Sequence, residues 1–416
     1  MADLETSGYY ALGIPAYLAV IGIEDLVMRR RGKRVYGFAN TIGNFSAGLG
    51  EVILGLFLGP YLIALYEYAY VHWRLVEWSE GSIIPWILAF FISDLGYYWY
   101  HRAGHKVAAL WAIHGVHHQS DRFNISIAIR HPWFSDSYSA IFYAPLPLLG
   151  VSTTQFFLAI SVISFYALTV HSQTFHRPGF YIFVTPRTHI VHHSRNPRYL
   201  GKNLGAMFTI WDRMFGTHVE IDPDDPPVLG TPGGYETHDG VKAQWIYFRD
   251  ILASAAAGKT LRDKVMAFVG HPGWRPAGAK LPPSPAARAE STVSGAVKTY
   301  VLVQFAVTLA LSAYVLWLRE QHTFAVLALA AVAVLFSLST IGGVLDGRPR
   351  AATWELARHV VFAVVGIALM GIAGYEVVGW GLVGAGAAGA AWVAAWWGRF
   401  AAPEATTPAS EPPVPE

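Results

Sequence analysis

From Ser137 to Val170 the chain contains no Asp, Glu, Lys or Arg. As one helix this run would be about 50 Å long at ~1.5 Å per residue, too long for the ~30 Å hydrocarbon core of a bilayer. Pro145, Pro147 and Gly150 interrupt it, and a proline breaks a helix by removing a donor and crowding the preceding turn. The stretch therefore predicts a two-helix hairpin in a membrane. Other runs are similarly poor in charge: Tyr9–Ile23, Val52–Tyr66, Ile83–Tyr100 with the single acid Asp94, Thr299–Leu318, Thr323–Leu345, Val360–Tyr375 and Val377–Trp397. Lipid offers no partner to backbone N–H and C=O groups, so segments of this kind close their hydrogen bonds internally as helices. The expected class is all-α, a polytopic helical membrane protein.

Composition agrees. Only 14% of the 416 residues are charged and 53% are hydrophobic, against about 25% charged in soluble domains. A net charge of +2 gives no reason to expect nucleic acid as a partner. The absence of cysteine removes disulfides, zinc fingers, iron–sulfur clusters and thiol catalysis. Any bound metal must then be held by His, Asp or Glu. Met1–Ser7 lacks a basic n-region, so no cleavable secretory signal is expected.

Basic residues in short loops set orientation. Arg29, Arg30, Arg31, Lys33 and Arg34 follow the first apolar run and should be cytoplasmic. Alternation then puts 67–82 outside, His101 inside, and 171–295 in the cytoplasm. The expected organisation is 1–82 as N-terminal transmembrane helices, 83–218 as a histidine-rich core, 219–295 as a cytoplasmic segment with an amphipathic piece around Val241–Phe268, 296–400 as C-terminal transmembrane helices, and 401–416 as a disordered tail rich in Pro, Ala, Thr and Glu.

Eleven of the seventeen histidines lie between His101 and His193. They form patterns: His101 and His105 as H-x3-H, His114, His117 and His118 as H-x2-HH, and His189, His192 and His193 as a second H-x2-HH. Helix positions i, i+3 and i+4 share a face, with Cβ atoms ~5–6 Å apart, so each motif can aim two or three imidazoles at one point. His171 closes the apolar hairpin and can complete the set. So many imidazoles gathered without a ligand would leave polar nitrogens unsatisfied. Eight or nine exceed the three or four ligands of a zinc site, so two ions are expected. Imidazole suits zinc, copper, iron and nickel alike. Asp94 precedes His101 by seven residues and His105 by eleven, on one helix face, and reads as an acceptor that orients a ligating imidazole. The scattered His72, His131, His218, His238, His271, His322 and His359 read as structural. Tyr97, Tyr98, Trp99 and Tyr100 read as aromatics at the membrane boundary.

In that order the three motifs resemble the fatty acid hydroxylase/sterol desaturase superfamily, and within it most closely the alkylglycerol monooxygenase group with its bacterial relatives. Supporting stretches are Asp94-Leu-Gly-Tyr-Tyr-Trp-Tyr-His101-Arg-Ala-Gly-His105, Trp111-Ala-Ile-His114-Gly-Val-His117-His118-Gln-Ser, Asn124-Ile-Ser-Ile-Ala-Ile-Arg130, Val191-His192-His193-Ser-Arg-Asn196, Asn203-Leu-Gly, Ile210-Trp-Asp-Arg-Met-Phe-Gly-Thr217 and His271-Pro-Gly-Trp-Arg-Pro276. The resemblance implies two iron ions held by His101, His105, His114, His117, His118, His171, His189, His192 and His193, with His176 as a substitute for His171 and Asn203 touching the site. It further implies an O2-dependent non-haem di-iron oxidoreductase that hydroxylates a lipid C–H bond from the cytoplasmic face. In that group, cleavage of alkylglycerol ethers follows. The electron donor it implies is external: tetrahydrobiopterin, cytochrome b5 or ferredoxin. A desaturase or hydroxylase of a sterol, carotenoid or fatty acyl chain would use the same ligands. A metal transporter is disfavoured, because transporters bind near the bilayer midplane whereas these histidines fall at span ends and in loops.

Overall fold

The computed structural model describes residues 6–174, 181–279 and 293–400. The expected disordered tail and His176 lie outside these. Apolar runs become helices throughout: α1 (Thr6–Arg30), α2 (Phe38–Trp73) and α3 (Ile84–Lys106), followed by the short α4 (Ala108–His114). The charge-free run divides into α5 (Ser135–Tyr143), α6 (Pro145–Leu148) and α7 (Thr153–Thr169). Pro145 opens α6 in its first turn, where its missing N–H costs nothing. Gly150 turns the chain at φ +77, and a Cβ there would lie 2.2 Å from the Val76 carbonyl oxygen. Ser152 and Gln155 then start α7 with a capping box.

The cap carries α8 (Pro186–His192), α9 (Ile210–Met214), α10 (Gly240–Ala257) and α11 (Leu261–Val269). The C-terminal bundle is α12 (Gly295–Trp317), α13 (Phe324–Leu345), α14 (Ala351–Met370) and α15 (Glu376–Ala395). Among the described residues the only β features are isolated bridges, such as Phe183 with Phe208. Among the described residues, five helices are long and apolar enough to cross a membrane: α2, α12, α13, α14 and α15. The chain is an integral multi-pass membrane protein.

One boundary differs from expectation. The apolar run predicted a span from Val360, but α14 begins at Ala351. Charge disguised its first turns. Glu355 and Arg358 are fully buried and pair at 2.7 Å, with the Tyr300 hydroxyl of α12 donating to Glu355 and Gln304 accepting from Arg358. Paired and hydrogen-bonded, the two charges can stay inside the bundle.

Helix α2 is the central post. Its buried residues run from Ala39 to Ile53, while its second half exposes Leu58, Tyr61, Ile63 and Leu65. Glycine permits the close approach of the cap: a Cβ on Gly48 would lie 2.3 Å from the Ile129 carbonyl oxygen. The bundle docks on the same cap. Asp239 caps α10 through the Val241 and Lys242 amides and also accepts from Ser339 and Arg348. Asp346 accepts from the His238 amide and lies 2.9 Å from His238 Nδ1.

Candidate metal centre

The C-terminal end of α3, helix α4 with the short helical turn His117–Gln119 after it, the end of α7, and α8 converge on one buried volume. Nine imidazoles fill it in two groups. His101, His105, His114, His118 and His192 form the first; His117, His171, His189 and His193 form the second. Within each, one nitrogen per residue lies within 4.8 Å of all the others. Each H-x2-HH motif aims two of its imidazoles, not all three, into one group. In each, the i, i+4 pair stays together (His114 with His118, His189 with His193), and the middle residue crosses to the other group. Adjacent side chains leave a helix about 100° apart. Two neighbouring histidines thus fall in different groups, and the groups adjoin, with His118 and His193 ring centroids 4.6 Å apart.

Hydrogen bonds fix which nitrogen faces inward. His101 Nδ1 lies 2.7 Å from the Leu204 carbonyl, His117 Nδ1 3.2 Å from that of Arg130, His171 Nδ1 2.9 Å from that of Ala167, and His192 Nδ1 2.9 Å from that of Lys202. A carbonyl only accepts, so each Nδ1 carries the proton and each Nε2 presents a lone pair. Burial holds the rings neutral. It is the first cause that depresses His117, His118, His114, His189 and His193 well below the imidazole range, and it lowers His171 to about 3 and His192 to about 4.

His117 Nε2 and His171 Nε2 nevertheless face each other at 3.2 Å. With both Nδ1 protons spent on carbonyls, no proton is left for a hydrogen bond between them. Two lone pairs at that distance repel unless a cation lies between. Metal–imidazole distances of ~2.0–2.1 Å put two nitrogens on one ion about 3 Å apart at a right angle. His101 Nε2 and His114 Nε2 at 3.0 Å, His114 Nε2 and His118 Nε2 at 3.1 Å, and His189 Nε2 and His171 Nε2 at 2.9 Å have the same spacing. His105 Nε2 and His192 Nε2 are buried with no partner at all. The donor set fits metal ions, and with the family below it points to iron.

Asp94 and Asn203 act at one remove. Asp94 accepts from the Met207 amide at 3.0 Å and the Trp211 indole at 2.7 Å, so it holds the loop after Leu204 rather than an imidazole. Asn203 adopts φ 52 and spends its amide on the Thr188 and Val219 carbonyls, while its Oδ1 accepts from the Val219 amide. Neither side chain reaches the rings. Sequence reading passed over Asp212, which accepts from the Leu204 and Gly205 amides at 2.8 Å each and so positions the carbonyl that holds His101. It passed over the buried Arg130 too, although both stand in stretches that carried the resemblance. The aromatic run is also split. Tyr98 is buried with its hydroxyl 3.0 Å from Thr217 Oγ1, and Trp99 is exposed. Tyr97 and Tyr100 pack on each other and on His101. Beside His105 a cavity of about 250 Å³ opens on the cap side, walled by Trp111, Tyr235 and Tyr247.

Residues 86–217 match the fatty acid hydroxylase family, and 297–375 match the alkylglycerol monooxygenase C-terminal domain. Alkylglycerol monooxygenase of Danio rerio is 30% identical over 381 residues, covering 87% of this chain and 83% of the relative. The Homo sapiens protein of that name is 29% identical over 380 residues, with the same shares. Ornithine lipid hydroxylase OlsE of Rhizobium tropici is 32% identical over 134 residues, 32% of this chain and 40% of the relative. No solved structure matches the chain.

Proposed function

The chain belongs to the alkylglycerol monooxygenase family, and from that premise we propose that it cleaves ether lipids at a di-iron centre held by nine histidines. It is an O2-dependent membrane lipid monooxygenase. The observation that carries the two-ion reading is the pairing of lone-pair nitrogens, above all His117 with His171, in two separate groups. His101, His105, His114, His118 and His192 would hold one ion and His117, His171, His189 and His193 the other.

When bound, the irons supply reductive activation of O2 and insertion of one oxygen atom into a lipid C–H bond. The protein supplies geometry and dryness. The carbonyls of Leu204, Arg130, Ala167 and Lys202 keep four Nε2 atoms turned inward. Burial excludes bulk water that would compete for the ions. With an alkylglycerol, hydroxylation of the chain carbon next to the ether oxygen gives a hemiacetal. This falls apart to a fatty aldehyde and glycerol; O2, two electrons and two protons are consumed and one water is released. The basic segment Arg29–Arg34 supports a cytoplasmic active site. There an external donor (tetrahydrobiopterin, cytochrome b5 or ferredoxin) would deliver electrons.

The test is purification with iron, then product analysis on a 1-O-alkylglycerol under O2 with each donor. Two irons per chain and release of fatty aldehyde are expected. Zinc alone, with no oxygen uptake under reductant, would overturn the reading. A hydroxylated or desaturated sterol, carotenoid or acyl product would move it to the sibling activities.

A further inference from the structure

Among the described residues five acids are buried: Glu24, Asp94, Asp212, Asp239 and Glu355. Two of them meet an arginine, Asp239 with Arg348 and Glu355 with Arg358. The direct partners of the other three are all neutral, and all three hold segments that carry or support the histidines.

Glu24, on α1, is 3% exposed. Its Oε1 accepts from the Ser172 hydroxyl at 2.7 Å and the Gln173 amide at 2.8 Å. Its Oε2 accepts from the Ile125 amide at 2.9 Å and from the Tyr36 hydroxyl. Two donors on each oxygen fill the acceptor sites of a carboxylate. Ser172 and Gln173 directly follow His171 in the chain. Ile125 stands two residues after Phe123, whose ring centroid lies 6.0 Å from that of His171 and 5.7 Å from that of His193. Gln173 Nε2 donates to the Phe123 carbonyl at 2.6 Å, so the two segments that Glu24 grips form one wall of the second group.

Asp212 stands in a similar relation to the first group. Its Oδ2 accepts from the Gly205 amide at 2.8 Å, and its Oδ1 from the Leu204 amide at 2.8 Å and the Thr217 hydroxyl at 2.7 Å. The Gly205 N–H and the Leu204 carbonyl belong to one peptide group, and that carbonyl accepts from His101 Nδ1 at 2.7 Å. Two hydrogen bonds in series, across a single peptide, therefore link the carboxylate to a ring of the first group. Such chains polarise one another.

Nine neutral imidazoles bring no charge to set against two divalent ions. A low-dielectric interior strengthens every charge interaction, and an uncompensated charge within it is costly. That holds for the ions and equally for buried carboxylates bonded only to neutral donors. Each set supplies what the other lacks. Resting on the reading of the centre as two metal ions on nine histidines, we propose that Glu24 is the counter-charge of the ion in the second group and Asp212 that of the ion in the first. Both are positioning residues. They touch no ion, and they act through His171 and its flank and through the Leu204–Gly205 peptide to His101.

The experiment titrates the full-length, metal-free protein in detergent, without oxygen, with Co2+ and separately with Ag+. Wild type should bind two Co2+. Loss of a partner behind a metal ligand weakens the metal by about 10–100-fold, and Glu24→Gln should raise the calorimetric Kd of one Co2+ by that factor. The thermal transition of the metal-free variant should stay near that of wild type, while its rise on adding Co2+ shrinks. In a His105→Ala background, which keeps the second group's ion, Glu24→Gln should act and Asp212→Asn should not; in His171→Ala the order reverses. Coulomb energy is proportional to the ion's charge, so the loss for Ag+ should be only about the square root of that for Co2+. Glu24→Asp, which keeps the charge but shortens the reach, should bind Co2+ more tightly than Glu24→Gln.

Equal losses for Co2+ and Ag+, or tighter binding by Glu24→Gln than by Glu24→Asp, would leave Glu24 a structural tie and overturn the proposal. If Glu24→Gln does not fold, the Co2+ and Ag+ losses in Asp212→Asn decide it by the same comparison. Wild type that binds no Co2+ overturns the two-ion reading itself; two bound Co2+ with unchanged affinities in every Glu24 and Asp212 variant overturns only the counter-charges.

Discussion

Arg130 holds His117 from two directions. Its carbonyl lies 3.2 Å from His117 Nδ1, and its guanidinium Nε donates at 2.8 Å to the carbonyl of Val116, the preceding residue. The same guanidinium, on a residue 1% exposed, reaches Asn44 on α2, Gln119 beyond the histidine pair, and the Thr237 carbonyl. One buried cation thus joins the second histidine motif to α2 and to the segment that docks the C-terminal bundle.

Arg130→Met leaves these acceptors buried and unpaired. At ~1–3 kcal/mol for each lost partner, a loss of several kcal/mol is expected, read as a lower thermal transition together with loss of iron. Arg130→Lys keeps the charge but lacks the planar fork needed to serve four acceptors. It should fold with less iron per chain. Full iron content in both variants would remove Arg130 from any role in the centre.

The split of the histidines makes a stoichiometric prediction. His105→Ala acts on the first group and His171→Ala on the second. Each should lower bound iron from two per chain toward one, and the two remaining ions should differ in Mössbauer parameters. His117→Ala and His192→Ala should abolish activity. Full activity in either is the result that defeats the ligand assignment.

Gly342 on α13 abuts the cap, and an added Cβ would lie 2.3 Å from Asp239 Cα and 2.4 Å from the His238 carbonyl oxygen. Backbone on the far side cannot swing away. Gly342→Ala should therefore destabilise by about 1–3 kcal/mol or more through overpacking. Faster hydrogen exchange at residues 237–242 would locate the damage.

Acid should loosen the same dock. Burial alone would raise the Asp346 carboxyl, but hydrogen bonds and charge from His238, with the Thr237 hydroxyl, outweigh it and hold the group well below the usual carboxylate range. A depressed folded value means that the stabilisation is fully present above the unfolded pKa of about 3.9 and is lost as pH falls below it. The thermal transition should owe little to Asp346 titration between pH 8 and 5 and drop below about pH 4. Asp346→Asn should be less stable at neutral pH and show a smaller acid decline.

What the sequence determined by itself was local. Charge-free runs and the absence of backbone partners in lipid required helices, and Pro145, Pro147 and Gly150 marked where one run had to break. The spacing of His101, His105, His114, His117, His118, His189, His192 and His193 announced a gathering of imidazoles, because period along a helix is written in the chain. Tertiary structure decided the rest. Which centre each ring faces depends on the short turn at His117 and on the approach of α8. What Asp94, Asn203, Asp212 and Arg130 do depends on carbonyls and amides up to more than a hundred residues away, such as Thr237 for Arg130 and Met207 for Asp94. The early start of α14 was hidden for the same reason. A charge reads as a helix-in-lipid breaker until its partner, here Glu355 for Arg358 with Tyr300 across the bundle, is brought beside it. A side chain's type limits what it can bond, but only the fold supplies the partner.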